Sequence, residues 1–407
     1  MFKKIRTGIS MTGQFYRDEM KAIIQDKGAL LILLGAVIIY PIVYSLAYQP
    51  EIVRQISTIV VDMDHSAASR QLIRMADETE QIQVVSYAHS MDEARRIFFS
   101  NKETGGILAI PSGFEKQLLN GQQADVSVYA DGSFFLIYRQ VLSGAVSSVG
   151  TFAAGVEIKK LMAGGQSYDQ AVESRDPLSA DLHFWFNPFS GYGSFIMPGL
   201  ILIILQQTLL IGIGMIGGTG KEINRHSYLV PVALRRGGVL PILFGKTFSY
   251  LTIYLFNSIL TMVWIHHWFG YPDRAGFLHV LMLTVPFLLA VIFLGITISV
   301  LFRRRESSIL FMVFLSPIVL FISGVSWPAS SIPGFVYQLG HVFPTTVMVP
   351  AYLRLKVMGA GLEAVRHDYL LLLVQCGVYF LTAAAAIYLE ARHNQKQETK
   401  NQAEFTA

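Results

Sequence analysis

Three observations predict a polytopic α-helical membrane protein, with six transmembrane helices and an inserted extracytoplasmic α/β domain. Of the 407 residues, 52% are hydrophobic and only 15% are charged, whereas a soluble domain carries about 25% charged residues. Six apolar runs are each long enough to cross a bilayer as a helix. Residues 49–187, between the first two runs, alternate strand-like and helix-like patterns and carry 11 Lys and Arg against 17 Asp and Glu.

The chain begins with a basic segment, residues 1–28, in which apolar side chains recur at helical spacing. We expect a helix that lies in the headgroup region with its basic side chains in water. The apolar run 29–48 follows as the first span. A cleaved signal peptide is the alternative, because Ser45 and Ala47 resemble a small-x-small cleavage site. Both the basic segment and the apolar run are long for a signal peptide, which favours an uncleaved span.

Residues 49–187 predict a small α/β domain. The order is strand, helix, strand, helix, strand, helix, strand, which is typical of a parallel or mixed sheet covered by helices. The predicted strands are 56–62, 82–87, 106–111 and 125–129, and the predicted helices are 66–75, 90–99 and 114–119. A longer helix, 134–162, is expected to run back toward the membrane.

Acidic residues close to the predicted strand ends raise the question of a metal site. Such residues are usually turn and cap residues, so we expect no metal ligands here. The single cysteine, Cys376, lies in an apolar run, and one cysteine allows neither an intrachain disulfide nor a cysteine cluster. The residues considered as possible metal ligands are Asp62, Asp64, His65, Asp131 and Ser133.

Basic residues predict the orientation of the spans. The segments assigned to the cytoplasmic side hold 17 Lys and Arg, and the two short loops assigned to the outer side hold four. This bias places both termini, including the tail 390–407, in the cytoplasm, and it places residues 49–187 outside. The region 193–389 holds the later spans, which are predicted at 193–216, 247–268, 277–302, 308–325 and 368–389.

The loop 217–246 is short and basic, with Glu222 as its only acid. It imitates a phosphate-binding loop at Gly220-Lys221, but G-x-x-x-x-G-K-[ST] would require glycine at Met215 and a hydroxyl at Glu222. A nucleotide site is therefore excluded. Two interpretations stay open, a solvated positive-inside connector and a docking element for a soluble partner. The basic residues are Lys221, Arg225, Arg235, Arg236 and Lys246.

The segment 326–350 is too apolar for an ordinary loop and is cut by Pro328, Pro333, Pro344 and Pro350. Broken backbone at membrane depth survives only when it is buried in protein or lines a cavity. A re-entrant element and an amphipathic surface loop both fit this pattern.

The centres of the six predicted spans contain no Asp, Glu, Lys or Arg. An ion-driven carrier normally needs an ionisable relay in the membrane, and a channel needs polar rings along one helix face. The sequence also has neither G-x-S-x-G nor H-E-x-x-H, so no catalytic residue is expected. The few polar residues that we expect along a substrate path are Gln206, Gln207, Asn257 and Ser316.

Six stretches together resemble the membrane permease subunit of type-2 ABC exporters, in the subgroup with a large extracytoplasmic domain between spans one and two. YRDEMKAIIQDKGALL at 16–31 is similar to the family's elbow helix. VVDMDHSAASRQLIR at 60–74, ILAIPSGFEKQLLNG at 107–121 and VYADGS at 128–133 are similar to its external domain. Lys221-Glu222 through Pro231 to Gly245-Lys246 matches its coupling segment, although Asn224-Arg225 replaces the usual Gly-Thr. The Trp-Pro, Ile-Pro and Phe-Pro-Thr-Thr pieces of 323–350 resemble its re-entrant element.

The resemblance implies a half-transporter in the bacterial inner membrane that moves a drug, lipid or similar hydrophobic or amphipathic substrate outward. It implies two ABC ATP-binding subunits that bind ATP and Mg²⁺, a second or sister permease, and a periplasmic adaptor protein. This chain itself would carry no cofactor and no ATPase site, and no nucleic acid is involved. The residues implied in coupling to the ATPase are Lys221, Glu222 and Arg225, with Arg17, Asp18 and Glu19 of the elbow helix.

A non-transporting membrane sensor or scaffold with an extracytoplasmic binding domain is the alternative function. The charged loop 217–246 separates the two functions, because a pure sensor needs no dock for a soluble ATPase.

Overall fold

The computed structural model describes residues 2–178, 183, 185–188, 190–222 and 238–406. Arg225, Pro231, Arg235 and Arg236 of the predicted coupling loop lie outside these ranges. The chain divides into two compact units. One contains Met1–Glu51 with Phe184–Ala407, and the other contains Ile52–His183.

All secondary-structure elements in the described part of the first unit are helices. Its amino-terminal helix α1 is followed after one residue by α2, and the remaining helices come after the second unit in the chain. Residues Leu31–Ala36 of α2 and Leu260–Ile265 of α9 adopt π-helical geometry. The bounds are α1 Phe2–Gln25, α2 Lys27–Ala47, α8 Tyr192–Glu222, α9 Leu240–Phe269, α10 Phe277–Ser299, α11 Arg305–Ile322, α12 Gly334–Gly340, α13 Pro344–Tyr352 and α14 Arg366–Thr406.

Seven helices in the described part of the chain are long and apolar enough to cross a membrane. Six of them, α2, α8, α9, α10, α11 and the helix over Leu362–Arg392, coincide with the predicted spans. The seventh is Phe135–Ala163, which belongs to the second unit. The chain is thus a polytopic helical protein, and the count of six spans stays a prediction.

Helix α8 lies at the centre of the first unit, and most of its side chains are buried. It packs against α2, α10, α11 and α13. Small residues allow these close contacts: a Cβ on Gly295 of α10 would lie 2.8 Å from Ile213, and one on Gly217 would lie 3.0 Å from Ser299. Close approach through small residues is how helices associate where no water drives them together.

The proline-rich segment forms short helices. A 3₁₀ turn, Ala329–Ser331, precedes α12, and α13 begins at Pro344, a position that suits proline because a first-turn N–H has no partner in the helix. Helix α13 is buried against α8, α10 and α14, whereas α12 keeps Phe335 and Leu339 exposed. A re-entrant position in the membrane stays a prediction for this segment.

The second unit contains a four-stranded sheet with helices on both faces. The strands lie in the order β2-β1-β3-β4, with β1 parallel to β2 and β3, and β4 antiparallel to β3. The strands and helices follow one another in the predicted order, and of the two predicted sheet types the structure has the mixed one. The elements are β1 Ile56–Asp62, α3 Ala67–Asp77, β2 Ile82–Tyr87, α4 Met91–Ser100, β3 Thr104–Ile110, α5 Phe114–Leu119, β4 Ser127–Ala130, α6 Phe135–Ala163 and α7 Tyr168–Arg175.

Packing within the second unit explains the apolar side chains of α6. Its buried residues recur at helical spacing, and Phe152 packs against Phe114 of α5 with ring centroids 5.9 Å apart. Gly144 lies against Ile82, and Gly106 of β3 makes room for Val141. One face of α6 therefore covers the sheet together with α3.

The acidic residues at the strand ends are turn and cap acceptors, as predicted. Asp62 accepts from the backbone N–H groups of Asp64 and His65 at 3.0 Å, and Asp131 accepts from that of Ser133 at 2.9 Å. Asp64 accepts from the N–H groups of Gly113 and Glu115 at the start of α5. Within the described residues, no group of three or more His, Cys, Asp or Glu side chains could hold a metal ion.

Candidate functional site

Charged side chains from distant parts of the chain meet at one end of the helical unit. They come from α1, the start of α2, the end of α8, the start of α9, the start of α11 and the middle of α14. We call this set the charged cluster, and its members are Glu19, Asp26, Lys221, Glu222, Lys246, Arg305 and Glu390. These residues bring α1, the predicted elbow helix, together with Lys221, Glu222 and Lys246 of the predicted coupling loop.

The first pair in the charged cluster joins α1 to α9. Lys246 Nζ lies 2.8 Å from both carboxylate oxygens of Glu19, and the hydroxyl of Tyr250 donates to Glu19 Oε1 at 2.8 Å. Glu19 is 8% exposed and Tyr250 is fully buried. Because the carboxylate has a cation and a hydroxyl donor, its removal from water is compensated.

Local packing explains why α1 and α9 come so close. A Cβ on Gly245 would lie 2.5 Å from Phe15 Cβ and 3.0 Å from the carbonyl oxygen of Thr12. Ser249 Oγ donates to the carbonyl oxygen of Tyr16 at 3.0 Å. Glycine and serine, one turn apart, therefore let α1 lie on the surface of α9 and bring Glu19 to Lys246.

The second pair joins the end of α8 to α14. Lys221 Nζ lies 3.1 Å from Glu390 Oε1 and donates to the carbonyl oxygen of Val300 at 2.6 Å. That carbonyl follows the last turn of α10, whose terminal carbonyl groups lack partners in the helix. Lys221 thus connects three helices.

Both pairs line one small cavity of about 50 Å³, which Glu19, Lys246, Lys221 and Glu390 share. A buried water needs about 10–15 Å³ of such volume, so the cavity has room for roughly three waters. The two ion pairs therefore border the same cavity, whose other lining side chains are mostly apolar.

The third group surrounds Arg305. Asp26 caps α2 by accepting from the N–H groups of Gly28 and Ala29, and its Oδ1 lies 3.3 Å from Arg305 Nη2. Thr219 donates to the other oxygen of Asp26 at 3.1 Å. Glu222 accepts from the backbone N–H of Arg305 at 3.1 Å. Glu222 therefore places a negative charge at the first turn of α11, where the helix dipole favours it.

Gly218 allows the close contact between α8 and the start of α11. A Cβ on Gly218 would lie 2.6 Å from the backbone nitrogen of Arg305 and 2.7 Å from the backbone carbon of Arg304. Only glycine lets α8 approach the start of α11 at this distance.

The structure places the predicted coupling residues in different environments. Lys221 and Glu222 both contact other helices of this chain, and Glu19 is buried against α9. Arg17 and Asp18 are exposed. Arg225 lies outside the described residues.

The predicted substrate-path residues have separate neighbours. Gln206 Oε1 accepts from the backbone N–H of Thr345 at the start of α13, and Asn257 donates to the carbonyl oxygen of Leu33 in the π-helical part of α2. Gln207 is buried, and Ser316 is half-buried on α11. No hydrogen bond joins any two of Gln206, Gln207, Asn257 and Ser316 in the part of the chain that the structure describes.

Sequence reasoning missed the partners in the charged cluster. Nothing in the spacing of Asp26 and Arg305, 279 residues apart, indicates a contact. Sequence reasoning also assigned no role to His266, which is buried, with Nδ1 3.2 Å from the carbonyl oxygen of Thr261 and the Tyr352 hydroxyl 3.4 Å from Nε2. The contacts of Asp26 with Arg305 and of His266 with Tyr352 join residues that are far apart in the sequence, so no local sequence pattern indicates them.

Comparison with known proteins gives two findings. The sequence model of the family described as "ABC-2 family transporter protein" matches residues 27–385. The chain is 23% identical over 384 residues to the "Inner membrane transport permease YhhJ" of Escherichia coli K12, covering 90% of this chain and 93% of that protein. It is 22% identical over 284 residues to the "Probable multidrug ABC transporter permease YbhS" of the same strain, covering 68% of this chain and 70% of that protein.

Proposed function

The chain belongs to the ABC-2 transporter family, and we propose that it is the permease subunit of an ATP-driven exporter that moves a hydrophobic or amphipathic substrate outward. The family match over residues 27–385 is the observation that carries this proposal. Membership in the family implies association with ABC ATP-binding subunits. The relatives and the seven apolar helices indicate a multi-pass inner membrane protein.

Further parts of the proposal follow from the sequence. Six spans with both termini in the cytoplasm accord with the 17-to-4 bias of Lys and Arg. In that orientation the unit Ile52–His183 lies outside, as in the subgroup with a large external domain. A second permease copy completes the transporter, and a periplasmic adaptor protein joins it from outside.

The charged cluster supports a coupling role for the end of α8. Lys221 and Glu222 are the last residues of that helix, and they contact α10, α11 and α14. A partner that moves residues 223–237 would pull directly on these contacts. The proposal therefore assigns the cluster to transmit movement from the ATP-binding subunits to the spans, with Glu222, Lys221 and Arg225 nearest to the partner.

The energy source is assigned to the partner subunit. The described spans carry no acidic or basic side chain near their centres, so a proton or sodium relay has no residues to use. In this proposal the chain itself is not an enzyme, and ATP and Mg²⁺ bind to the ATP-binding subunits.

The test is to purify the chain from its native membrane and to identify the subunits that accompany it. We expect an ABC ATP-binding subunit and a measurable ATP hydrolysis rate in the purified complex. Export from cells should stop when ATP is depleted while the proton gradient is held. Export that continues under those conditions, or a chain that purifies without an ATPase, would reject the exporter in favour of an ion-driven carrier or a sensor.

A further inference from the structure

The unit Ile52–His183 contains a cavity beside the carboxyl ends of β1 and β2, next to α3. Its volume is about 360 Å³, within the range of about 300–1,000 Å³ that small-molecule sites occupy. The polar residues that line it are Asp62, His65, Arg70, Arg74, Tyr87 and His89.

The only carboxylate in the lining is already used. One oxygen of Asp62 accepts from the backbone N–H groups of Asp64 and His65, and the other accepts from the hydroxyl of Ser69 at 2.8 Å. Asp62 is 9% exposed. It therefore fixes the loop after β1, and within the described residues it forms no ion pair with an arginine of the cavity.

Two arginines supply those charges. Arg70 and Arg74 are four residues apart on α3, a spacing at which like charges face each other and repel. Within the described residues, neither guanidinium forms an ion pair with Asp or Glu. Arg70 Nη1 donates to the carbonyl oxygen of His65 at 2.7 Å, which anchors this guanidinium at the cavity.

The two arginines of this cavity are unusual in a unit that is rich in acidic residues. Residues 49–187 carry 17 acidic and 11 basic residues, yet the lining of this cavity has two arginines against one carboxylate. Because the unit is negatively charged as a whole, long-range attraction of anions does not explain why two arginines line one cavity. Local binding of an anion in the cavity does explain it.

The loop geometry presents further groups to the cavity. His65 has φ 52°, a left-handed conformation that is uncommon outside glycine, and hydrogen bonds at its N–H and its carbonyl oxygen hold it. Tyr87, the last residue of β2, is 64% exposed. The neighbouring helix starts at the β1–β3 edge are occupied by the chain itself, because Asp64 caps α5 and Glu115 accepts from the N–H of Ala68 in α3. These helix starts are therefore not available to an anion, which would contact side chains of the cavity instead.

We propose that this cavity binds the phosphate group of a small phosphomonoester. A phosphomonoester carries about −1.5 to −2 charges at neutral pH, which matches two guanidinium groups better than a monocarboxylate does. Arginine also binds phosphate in bidentate geometry, and Tyr87, His65 and His89 add hydrogen-bonding groups. A soluble phosphorylated molecule and a phospholipid headgroup are the two sources of this chemistry. The inference does not depend on the transport function.

The experiment is calorimetric titration of the full chain in nanodiscs of neutral phosphatidylcholine with glycerol 3-phosphate. We expect saturable binding that Arg70→Gln and Arg74→Gln each weaken by tenfold or more. The matched control is Arg96→Gln, an exposed arginine of α4 that does not line the cavity, and it should change the affinity less than twofold. Acetate should not bind measurably at the same concentrations.

A second titration distinguishes the two sources. In nanodiscs that contain phosphatidic acid, a lipid headgroup in the cavity would compete with glycerol 3-phosphate and lower its apparent affinity for wild type. The affinity of the arginine variants for glycerol 3-phosphate should not change when this lipid is added. Unchanged binding in those nanodiscs assigns a soluble ligand. Absence of saturable binding with both glycerol 3-phosphate and phosphatidic acid, equal binding of acetate, or full affinity in both arginine variants would overturn the proposal.

Discussion

Lys246 on α9 donates to both carboxylate oxygens of Glu19 on α1 at 2.8 Å, although the two residues are 227 positions apart in the sequence. This pair fastens the amino-terminal helix to α9, whose first residues belong to the predicted coupling loop 217–246. Breaking a buried ion pair by removing one partner costs about 3–5 kcal/mol, because the other charge stays behind.

Glu19→Gln should therefore destabilise the helical unit. Lys246 keeps about a fifth of its side chain exposed, so we expect a loss on the order of 3 kcal/mol, at the lower end of that range. Thermal unfolding of the purified chain in detergent measures it. The double variant Glu19→Gln/Lys246→Met removes both charges and should recover part of the loss, whereas exposed Glu306→Gln should have little effect. Equal melting of Glu19→Gln and wild type would show that the pair contributes nothing.

Gly218 and Gly220 form a matched pair on α8. A Cβ on Gly218 would meet the backbone of Arg304 and Arg305, whereas one on Gly220 would meet nothing within 4 Å. We expect Gly218→Ala to destabilise the chain by about 1–3 kcal/mol through overpacking. Gly220→Ala should stabilise it by about 0.5–1 kcal/mol, because alanine loses less entropy in a helix. Opposite shifts of the melting temperature are the expected result, and shifts of the same sign would argue against the close contact.

Asp64 makes the second unit sensitive to acid. Burial alone would raise the pKa of this carboxyl, but hydrogen bonds from the Ser66 side chain and from the backbone of Glu115, Gly113 and Phe114 together hold the pKa below its usual value of 3.8. Because the folded-state pKa is the lower one, the stabilisation is complete above pH 3.8 and is lost as the pH falls through the folded-state value.

Hydrogen exchange of the full chain, followed at α5 from pH 6 to pH 3, tests this dependence. Wild type should lose protection at α5 in the acid part of that range. Asp64→Asn cannot ionise, so its protection should be lower at pH 6 and change less on acidification. A steep acid response that survives in Asp64→Asn would assign the effect to another group.

Glu222 tests the docking role of the coupling loop. Glu222→Gln keeps an oxygen for the N–H of Arg305, so the stability of the chain should change by less than about 1 kcal/mol. A docking contact that loses its charge at a desolvated interface costs about 2–5 kcal/mol, so the ATP-binding subunit should co-purify at a tenth or less of the wild-type ratio, and export should fall with it. Exposed Glu103→Gln in the second unit is the control. Full ATPase binding and full export by Glu222→Gln would leave Glu222 as a cap of α11 alone.

The orientation of the chain can be tested with two cysteines. Asn120→Cys and Arg304→Cys, each introduced after Cys376→Ala, place a thiol at an exposed position in each unit. A membrane-impermeant maleimide should label position 120 in intact cells and position 304 only after lysis. Labelling of position 304 alone in intact cells would reverse the predicted topology.

Much of the secondary structure could be predicted because its signals are local. The bounds of β1, β2 and α5 follow from short apolar patterns, and six of the seven apolar helices follow from the length of apolar runs. The buried face of α1 was harder to predict. The apolar residues Ile9 and Ile24 are exposed, whereas the buried stripe runs through Met11, Phe15 and Glu19.

The sequence by itself determined the class of the protein: a polytopic helical chain with long apolar helices, a stretch of alternating strands and helices at residues 49–187, and a family resemblance. These features depend on composition and on patterns shorter than one helix, so they can be read without knowing which elements touch. Only the tertiary structure decided that Glu19 pairs with Lys246, that Asp26 pairs with Arg305, and that Lys221 joins Glu390. Each of these pairs spans more than 160 residues, and a charge reveals its role only when the fold brings its partner within hydrogen-bonding distance and takes both away from water.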